Sequence, residues 1–515
     1  MRFLKRCRTC LAVVLGVCLV QKTTANMATY HAPDVFLDVH KKDLSVLINP
    51  PNTHQLSPVI TTGARFNEQH INQKIAQWSL QQVNQSLPLI DDPWVNQLIF
   101  SMSAQMNAQV RQQALLGVAV IDDQAINAFA VVGGLIGLNT GTVLSANALD
   151  EVASVLAHEI AHLSQRHYEH SKDNNAKLLA LQFGGLLAAI VASSVSGDAA
   201  ATALIGAQTA TAETAAAHSR EHEKEADRVG MQILAQAGYD ANAMPRFFER
   251  LHKQTTLHQS DQVFVPSFMQ SHPFTTERLS EAAARASAYP VVSLSQKQQQ
   301  IAIFEQLTWR LKYLGKQVSL AELFGASKHS RGATLALVAY LADEGRTDVA
   351  KQVFETANFD GSDPLVCITH AHVLDAQKSH QQAIDVLQAC HVLYPERRDL
   401  RLYLAGALIK ANQPAHALLK PLTDKTPHDL LAWKLTQQTY ENQAHLATTA
   451  AYKDMATIYV LRARSQVALW QGKYLAALQS NAQASELIKN HQEQQALQRL
   501  LQKDKTQILS FQAFK

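Results

Sequence analysis

The stretch that decides the fold of this 515-residue chain is His158-Glu159-Ile160-Ala161-His162. Two histidines four residues apart on a helix share one face, about one turn apart, so both imidazoles can reach one metal ion. Glu159 lies beside that face, where its carboxylate can reach a water molecule rather than join the ligands. The stretch therefore predicts a helix that holds zinc through His158 and His162 and uses Glu159 as a general base.

The residues before this stretch favour the same helix. Asn147 is a good N-cap residue, and Asp150 and Glu151 place negative charge in the first turn. We expect the helix to run to about His167. The extended histidine pattern of metzincins is absent, because residue 168 is a tyrosine rather than a histidine.

Two segments upstream are typical of strands. Residues 116–121 form a short apolar run, and residues 127–141 are typical of two short strands joined at Gly133-Gly134. The metal-binding helix is therefore expected to follow a small sheet. A protease binds its substrate in an extended form, and an edge strand within Phe129–Leu138 offers a place for strand addition.

A third metal ligand has to come from elsewhere in the chain. The charged stretch 219–227 offers carboxylates on a second predicted helix, and one of them would complete the His₂Glu set of catalytic zinc sites. On a helix, Glu223 and Asp227 share one face, while Glu221 and Glu225 share another. Spacing narrows the choice to these two pairs without deciding between them.

Charge excludes one class of function. The chain has 46 lysines and arginines against 43 aspartates and glutamates, but five of these cations lie in the N-terminal segment 1–25, which contains no acid. The rest of the chain therefore has 41 cations and 43 acids. Without an excess of positive charge, binding to the phosphates of nucleic acids is not expected.

The N-terminal segment 1–25 is typical of a secretory signal peptide. A basic start is followed by the apolar stretch Cys10–Val20 and by small residues up to Ala25. Because this apolar stretch is too short to span about 30 Å of hydrocarbon, we expect cleavage after Ala25 and export. A lipoprotein signal at Cys18 is the alternative, although Val17 is larger than the residue such a signal prefers.

A charge-free stretch follows the metal-binding helix. Residues 178–195 contain no charged side chain, and residues 196–217 are rich in alanine and threonine. A membrane-touching or lid helix is one interpretation of residues 178–195, and a buried or groove-lining helix is the other. The polar side chains and glycines within the stretch favour the second interpretation.

The C-terminal third of the chain is repetitive. Ala350, Ala383, Ala417 and Ala477 occupy equivalent positions, the last of them after a longer interval than the others. A period near 34 with a small residue in each helix is typical of tetratricopeptide helix hairpins, which stack into a solenoid. An irregular helical bundle is the alternative, because no unit carries the full pattern.

Two cysteines remain after the signal peptide, and both lie in these repeats. Counting back from Pro395 places Cys367 near the start of the first helix of its repeat and Cys390 near the end of the second. Antiparallel helices bring those two positions together. The pattern therefore predicts a disulfide between Cys367 and Cys390 in an oxidising compartment.

The motifs together resemble one family of enzymes. His158–His162, followed by Glu223 within residues 219–227, resembles the M48 family of zinc metallopeptidases. The segments 127–130 (Asn-Ala-Phe-Ala) and 139–141 (Asn-Thr-Gly) resemble the region upstream of that family's metal helix. The resemblance implies that one zinc ion is bound per chain.

The same resemblance implies roles for residues outside the first motif. It makes Glu223 the third zinc ligand and gives Asp227 the role of supporting a ligating histidine. It places His272 at a fourth zinc position, where a neutral imidazole would displace the nucleophilic water and hold the enzyme inactive, with Arg278 close by. The alternative for His272 is a surface histidine before a helix that begins at Pro273.

We therefore expect a mainly α-helical protein, with a zincin-like metalloprotease domain that contains a small β-sheet, followed by an α-solenoid of tetratricopeptide repeats. The expected divisions are a signal peptide (1–25), the M48-like domain (26–290), a helical connector (291–330), the repeats (331–490) and a helical tail (491–515).

The signal, the peptidase motifs and the repeats together resemble periplasmic members of the family. This implies a zinc-dependent endopeptidase that acts on misfolded or stalled outer-membrane proteins during their assembly. The repeats would dock the outer-membrane assembly machinery, and contact with the membrane would be peripheral. The alternative is a non-proteolytic periplasmic chaperone or scaffold that works through its repeats. Intact Glu159 argues against that alternative, because a structural zinc site has no need of this carboxylate.

Overall fold

The structure is a computed structural model. It describes residues 62–110, 115–165, 212–257, 272, 275–491 and 494–514. The expectations for the signal peptide and for the charge-free stretch 178–195 lie outside the described residues. Within the described ranges, no helix is long and apolar enough to cross a membrane.

The first part of the described chain combines helices with a small sheet. Its elements are α1 (Thr62–Ser86), α2 (Pro93–Asn107), β1 (Gly117–Ile121), β2 (Ala128–Val131), β3 (Leu135–Asn139), α3 (Thr140–Ser145), α4 (Leu149–Ser164), α5 (Ala212–Gln236), α6 (Ala243–Leu257) and α7 (Thr276–Ala286). A short 3₁₀ turn, Ala108–Val110, continues α2.

The sheet has the order β1-β3-β2, with β3 in the centre. β3 runs parallel to β1 and antiparallel to β2, from which the turn at Gly133 and Gly134 separates it. Both glycines have a φ of 89°, which a side chain would strain. The predicted strand pair is present, but of the expected edge strand Phe129–Leu138 only the β2 half lies at an edge.

The sheet lies between helices on both faces. Side chains of α1 such as Ile75 and Val83 pack on one face with Ala119 and Ile121. On the other face α2 and α4 form the larger core, which includes Val120. Every residue of α4 from Leu149 to His162 is buried, so this helix runs through the interior.

The N-terminus of α4 differs from the expectation in its cap. Ala148, not Asn147, occupies the N-cap position, and its side chain makes no capping hydrogen bond. Instead, the backbone N–H of Asn147 donates to Glu151 Oε2 at 2.8 Å. The carboxylate reaches back to a free N–H at the helix start, as the acidic residue of a capping box does.

The second part of the described chain is helical throughout. Its elements are α8 (Leu294–Leu314), α9 (Leu320–Ala326), α10 (Arg331–Asp343), α11 (Thr347–Thr356), α12 (Pro364–Ala376), α13 (His380–Leu393), α14 (Arg398–Lys410), α15 (His416–Lys425), α16 (Leu430–Leu446), α17 (Ala450–Trp470), α18 (Tyr474–Leu487), a 3₁₀ turn (Ile488–Asn490) and α19 (Gln495–Gln512). The expected fold class, mainly α with a small sheet followed by a helical region, is confirmed.

The proposed repeat positions agree with the helices except at one place. Ala350, Ala383 and Ala477 are each the fourth residue of a helix (α11, α13 and α18) and are fully buried. Ala417 is exposed, and the fourth residue of α15 is the buried Leu419. The equivalence of Ala417 was therefore wrong, because α15 begins only at His416. The assignment as tetratricopeptide repeats, and the five expected divisions of the chain, stay predictions.

A buried polar cluster, which we call the joint, connects the two parts. Asp92 caps α2 by accepting a hydrogen bond from the backbone N–H of Val95 at 2.9 Å. Arg310 of α8 donates to Asp92 Oδ2 at 2.7 Å, and the hydroxyl of Tyr403 in α14 donates to the same oxygen at 2.8 Å. The joint consists of Asp92, Arg310 and Tyr403, and it fixes the helical region against the start of α2.

Candidate metal centre

Side chains from α4 and α5 converge at one buried point. His158 Nε2 lies 3.0 Å from His162 Nε2, as expected for residues one turn apart. Two oxygens of Glu223 face this pair, with Oε2 3.3 Å from His158 Nε2 and Oε1 3.4 Å from His162 Nε2. The two parts of the predicted ligand set, which are far apart in the sequence, therefore meet.

His272 completes the cluster from a third part of the chain. Its Nδ1 lies 3.3 Å from His158 Nε2 and 3.1 Å from Glu223 Oε1. The residue is buried, so it is not the surface histidine of the alternative interpretation, and the next helix begins at Thr276 rather than at Pro273. One ligand atom from each of these four residues lies within 4.8 Å of the others.

The spacing of these atoms fits zinc. Four ligands placed tetrahedrally at zinc's usual bond length of about 2.0–2.1 Å would be about 3.3–3.4 Å from one another. The measured separations between neighbouring ligand atoms run from 3.0 to 3.4 Å. Two imidazoles and a carboxylate are the donor set of a catalytic zinc site, and a third imidazole is available beside them.

The other candidate carboxylates point elsewhere. Glu221 is exposed. Glu225 accepts hydrogen bonds from the guanidinium of Arg228 at 2.9 and 2.6 Å on the outside of α5. Of the two helix faces that the spacing left open, the structure directs the face with Glu223 and Asp227 towards the histidines.

Glu159 is the most unusual group of the centre. Its side chain is fully buried, and Oε1 lies 3.4 Å from His272 Nε2. Among the described residues, neither of its oxygens has a hydrogen-bond partner. A buried carboxylate without a donor is costly, so its environment is suited to a water molecule or a substrate group that supplies one.

Asp227 and Arg278 form a second layer behind His158. Asp227 Oδ1 lies 3.0 Å from His158 Nδ1, which directs the opposite ring nitrogen at the cluster. Arg278 donates to both oxygens of Asp227, at 2.7 and 2.8 Å, and its Nη1 lies 3.0 Å from Glu223 Oε2. Its guanidinium also lies 5.2 Å from the ring centre of Phe248. These contacts fix the carboxylates of both Asp227 and Glu223.

The charges of the centre shift the pKa values of its members. Burial lowers the pKa of His158, but the carboxylates of Asp227 and Glu223 outweigh it and raise the pKa to about 10. Burial lowers the pKa of His162 to about 3. Although burial acts in the opposite direction, the imidazoles around Glu223 hold the pKa of this carboxyl well below its usual range. A neutral imidazole and an ionised carboxyl are the forms of these groups that bind a metal ion.

Two supporting features of the centre were not identified from the sequence. A Cβ on Gly230 would lie 3.2 Å from backbone atoms of Ala157 and His158, so this glycine lets α5 approach α4 closely. Arg250 of α6 binds Glu151 through both of its terminal nitrogens, one of them at 3.1 Å, and so anchors the start of α4. A glycine inside a predicted helix is a signal for close packing, whereas the pair of Arg250 and Glu151 leaves no local signal.

Comparison with known proteins agrees with this centre. Residues 90–286 match peptidase family M48. The beta-barrel assembly-enhancing protease of Escherichia coli is 26% identical over 453 residues, which cover 81% of this chain and 89% of the relative. That of Yersinia pestis is 27% identical over 391 residues, covering 71% and 76%. Mitochondrial metalloendopeptidase OMA1 of Arabidopsis thaliana is 28% identical over 169 residues, covering 32% of each chain.

Site and similarity together define the class of protein. A buried histidine and carboxylate cluster with a free carboxylate beside it is the centre of a zinc metallopeptidase. The match to peptidase family M48 over residues 90–286 includes every residue of this cluster, which supports a zinc metalloprotease. Over most of its length it is similar to beta-barrel assembly-enhancing proteases.

Proposed function

We propose that this protein is a periplasmic zinc endopeptidase that cleaves misfolded or stalled outer-membrane proteins during their assembly. The observation that carries the proteolytic part is the buried carboxylate of Glu159, which has no hydrogen-bond partner among the described residues and lies beside the cluster. The names of the relatives, which are beta-barrel assembly-enhancing proteases, support the substrate class. The signal peptide predicted over residues 1–25 supports the compartment.

In this proposal His158, His162 and Glu223 hold the metal, and Asp227 orients His158 through Nδ1. Zinc bound there would polarise the scissile carbonyl and lower the pKa of a water molecule to about 7. Glu159 accepts a proton from the attacking water and delivers it to the leaving amine. Its position supports this role, because both carboxylate oxygens are buried beside the cluster without a hydrogen-bond partner among the described residues.

The substrate would bind in an extended form beside α4. β2 is an edge strand, and α4 packs against it, so a peptide added to its outer edge would lie near the cluster. Phe129 covers Gly137 of β3 so closely that a Cβ on this glycine would lie 2.2 Å from the ring. This contact holds β2 in place as a rigid edge.

His272 is proposed to regulate the enzyme. Its Nδ1 faces the ligand atoms while its Nε2 faces Glu159, so the imidazole occupies the space that water and substrate need. Arg278 restrains Glu223 beside it. His272 would therefore keep basal activity low until it is displaced.

The helical region is proposed to be a series of tetratricopeptide repeats that dock the outer-membrane assembly machinery. It packs on the peptidase part through the joint and through the hydroxyl of Tyr474, which donates to Gln81 Oε1 at 2.6 Å. A purely non-proteolytic chaperone or scaffold is not favoured, since that function does not explain the buried Glu159 carboxylate.

Glu159→Gln tests the proteolytic function. The variant should bind one zinc per chain, measured by atomic absorption, and lose casein cleavage by about 10²–10⁴-fold, since the general base is gone and the ligands remain. Glu225→Gln, the same change on the exposed side of α5, is the matched control and should keep both properties. Full activity of Glu159→Gln would reject the proposed function. Retention of zinc by Glu223→Gln would reject that residue as a ligand.

His272→Ala tests the regulatory role. With zinc occupancy shown to be equal, the variant should cleave a flexible substrate faster than the parent and cleave itself more. Slower cleavage of every substrate tested would show instead that His272 contributes to the reaction, for example by stabilising an oxyanion.

A further inference from the structure

The sheet has a second edge, at β1, and half of it is covered. The backbone N–H of Ile90 donates to Val120 O at 2.9 Å, and the N–H of Asp122 donates to Pro88 O at 2.7 Å. Residues 88–90 therefore run alongside the end of β1, where Leu89 and Ile121 form an antiparallel bridge. A short extended segment of this chain has added itself to the outer edge of β1.

The other half of this edge is open. Alternate residues of a strand direct their backbone groups to the same side, so Val118 faces outward as Val120 does. Among the residues that the structure describes, no backbone group pairs with the outward N–H and C=O of Val118. Val118 therefore offers one backbone donor and one backbone acceptor with which a residue of an added strand could pair.

A cavity of about 510 Å³ lies in front of the open half. Besides residues 115–120, it is lined by residues of α1 and α2, which pack on opposite faces of the sheet, and by residues of the helical region. The volume is in the range of ligand-binding pockets, about 300–1,000 Å³. Its walls include Leu80, Asn84, Gln97, Phe100, Leu422 and His428.

The helical region forms part of this site and is bonded to the strand. His428 Nε2 donates to Leu116 O at 2.7 Å, immediately before β1. Asp91 binds Lys434 at 2.9 Å and Arg398 binds both oxygens of Asp429 at 2.6 Å, so these charged groups of the lining are paired within the protein. Glu396 and Lys425 also line the cavity, and both are exposed to solvent. The α1 wall offers Leu80 and the amide of Asn84, and the α2 wall offers Phe100 and the amides of Asn96 and Gln97. These two walls therefore favour uncharged ligands over charged ones.

We infer that this cavity binds an uncharged extended polypeptide segment by strand addition to β1. The free N–H and C=O of Val118 would pair with its backbone, and its side chains would alternate between the α1 wall and the α2 wall. A segment that alternates apolar and uncharged polar residues fits both walls. The site shares no residue with the metal centre. The inference rests on the proposed function in one respect, namely that the bound segment comes from an unfolded substrate.

Gly117 offers a way to block the cavity. A Cβ at this position would meet no atom within 4 Å, so Gly117→Leu adds a side chain in open space beside Val118. Gly325→Leu is the matched control, since a Cβ on this glycine of α9 also meets no atom within 4 Å. Gln97→Trp obstructs the cavity from the α2 wall and serves if Gly117→Leu does not fold.

The probe is a fluorescein-labelled ten-residue peptide of alternating valine and serine, and its binding is measured by fluorescence anisotropy. The parent is the full chain with Glu159→Gln, so the peptide is not cleaved and the result does not depend on proteolysis. Gly117→Leu should weaken binding at least tenfold, and Gly325→Leu should leave it unchanged.

Three results would overturn the inference. The first is equal affinity of Gly117→Leu and the parent, with unchanged melting temperature and zinc content. The second is equal weakening by Gly325→Leu. The third is a concentration-dependent dimer of the parent that Gly117→Leu dissociates while peptide binding persists, which would identify a second copy of the chain as the occupant. None of these outcomes bears on the Glu159→Gln cleavage assay, which tests the proposed function separately.

Discussion

The metal centre and the joint are both buried, ionic and assembled from distant parts of the chain, yet they are built on opposite principles. In the joint, Asp92 receives a donor from each direction, namely a backbone N–H, the guanidinium of Arg310 and the hydroxyl of Tyr403. In the metal centre, one nitrogen or oxygen atom from each of His158, His162 and Glu223 faces a common point, with these atoms within 4.8 Å of one another.

This difference gives a criterion for recognising a functional cluster. Burial and charge alone do not distinguish the two regions, since Asp92, Arg310, Glu159 and Glu223 are all buried. What distinguishes them is hydrogen bonding. Groups that serve the fold are paired with one another, whereas groups that serve chemistry leave acceptors for a cation, a water molecule or a substrate.

The largest effect on the fold is expected at the joint. Arg310→Met removes the cation and leaves the buried carboxylate of Asp92 with less compensation, so the free energy of unfolding in urea should fall by about 3–5 kcal/mol. Adding Asp92→Asn should restore most of this loss, because asparagine is neutral and still caps α2. A loss below about 1 kcal/mol for Arg310→Met would show that the joint does not depend on this pair.

A disulfide bond is expected in the helical region. Cys367 of α12 and Cys390 of α13 are buried. A hydrogen bond with the side chain of Cys390 lowers the pKa of the Cys367 thiol, so the two side chains are neighbours, although both are free thiols in the structure. In protein isolated from its native compartment they should form a disulfide that contributes about 3 kcal/mol to the free energy of unfolding.

Alkylation and mass spectrometry of unreduced protein would detect this bond, and unfolding with and without reductant would measure its contribution. The double variant Cys367→Ser with Cys390→Ser is the control and should not respond to reductant. Two alkylated thiols in the unreduced protein would contradict the prediction.

A smaller effect, on zinc affinity, is expected from changing Asp227, which contacts His158 and Arg278. Asp227→Asn keeps the shape of the side chain but weakens its hold on His158 and on Arg278, so zinc affinity should fall about 10- to 100-fold. Competition with a chelator measures this affinity, and Glu225→Gln on the same helix is the control. An unchanged zinc affinity would show that Asp227 stabilises the fold and does not support the metal centre.

The smallest effect is expected at Asp150, a buried carboxylate near the start of α4. Burial raises its pKa to about 6, with the neighbouring charge of Asp240 acting in the same direction. Because the folded state holds this proton more tightly than the unfolded state, stability falls as the pH rises from about 4 to about 6. At pH 7.5, Asp150→Asn should therefore have a higher melting temperature than the parent, which corresponds to a gain of about 1 kcal/mol in the free energy of unfolding. At pH 4 the two proteins should have equal melting temperatures.

Asp348→Asn is the control for Asp150, since Asp348 is exposed in the first turn of α11. It should leave the melting temperature unchanged at both pH values. A lower melting temperature of Asp150→Asn at pH 7.5 would show that the charge of Asp150 at the helix start outweighs its burial.

Local features of this protein can be predicted from its sequence. The pattern His158-Glu159-Ile160-Ala161-His162 requires a helix with two ligands on one face, and the small sheet upstream follows from the strand signals around Gly133-Gly134. The spacing within residues 219–227 reduced the third ligand to two helix faces. These inferences succeed because helix and strand periods depend only on neighbours in the chain.

Contacts between groups that are far apart in the sequence could not be predicted and are known from the folded structure. It selected the face with Glu223 over that with Glu221, placed His272 against both the ligands and Glu159, and assembled the joint from three separate helices. Such contacts depend on how closely helices pack, as Gly230 shows by letting α5 approach α4. No periodicity encodes them, because the free energy of a long-range contact is set by the shape of the whole core.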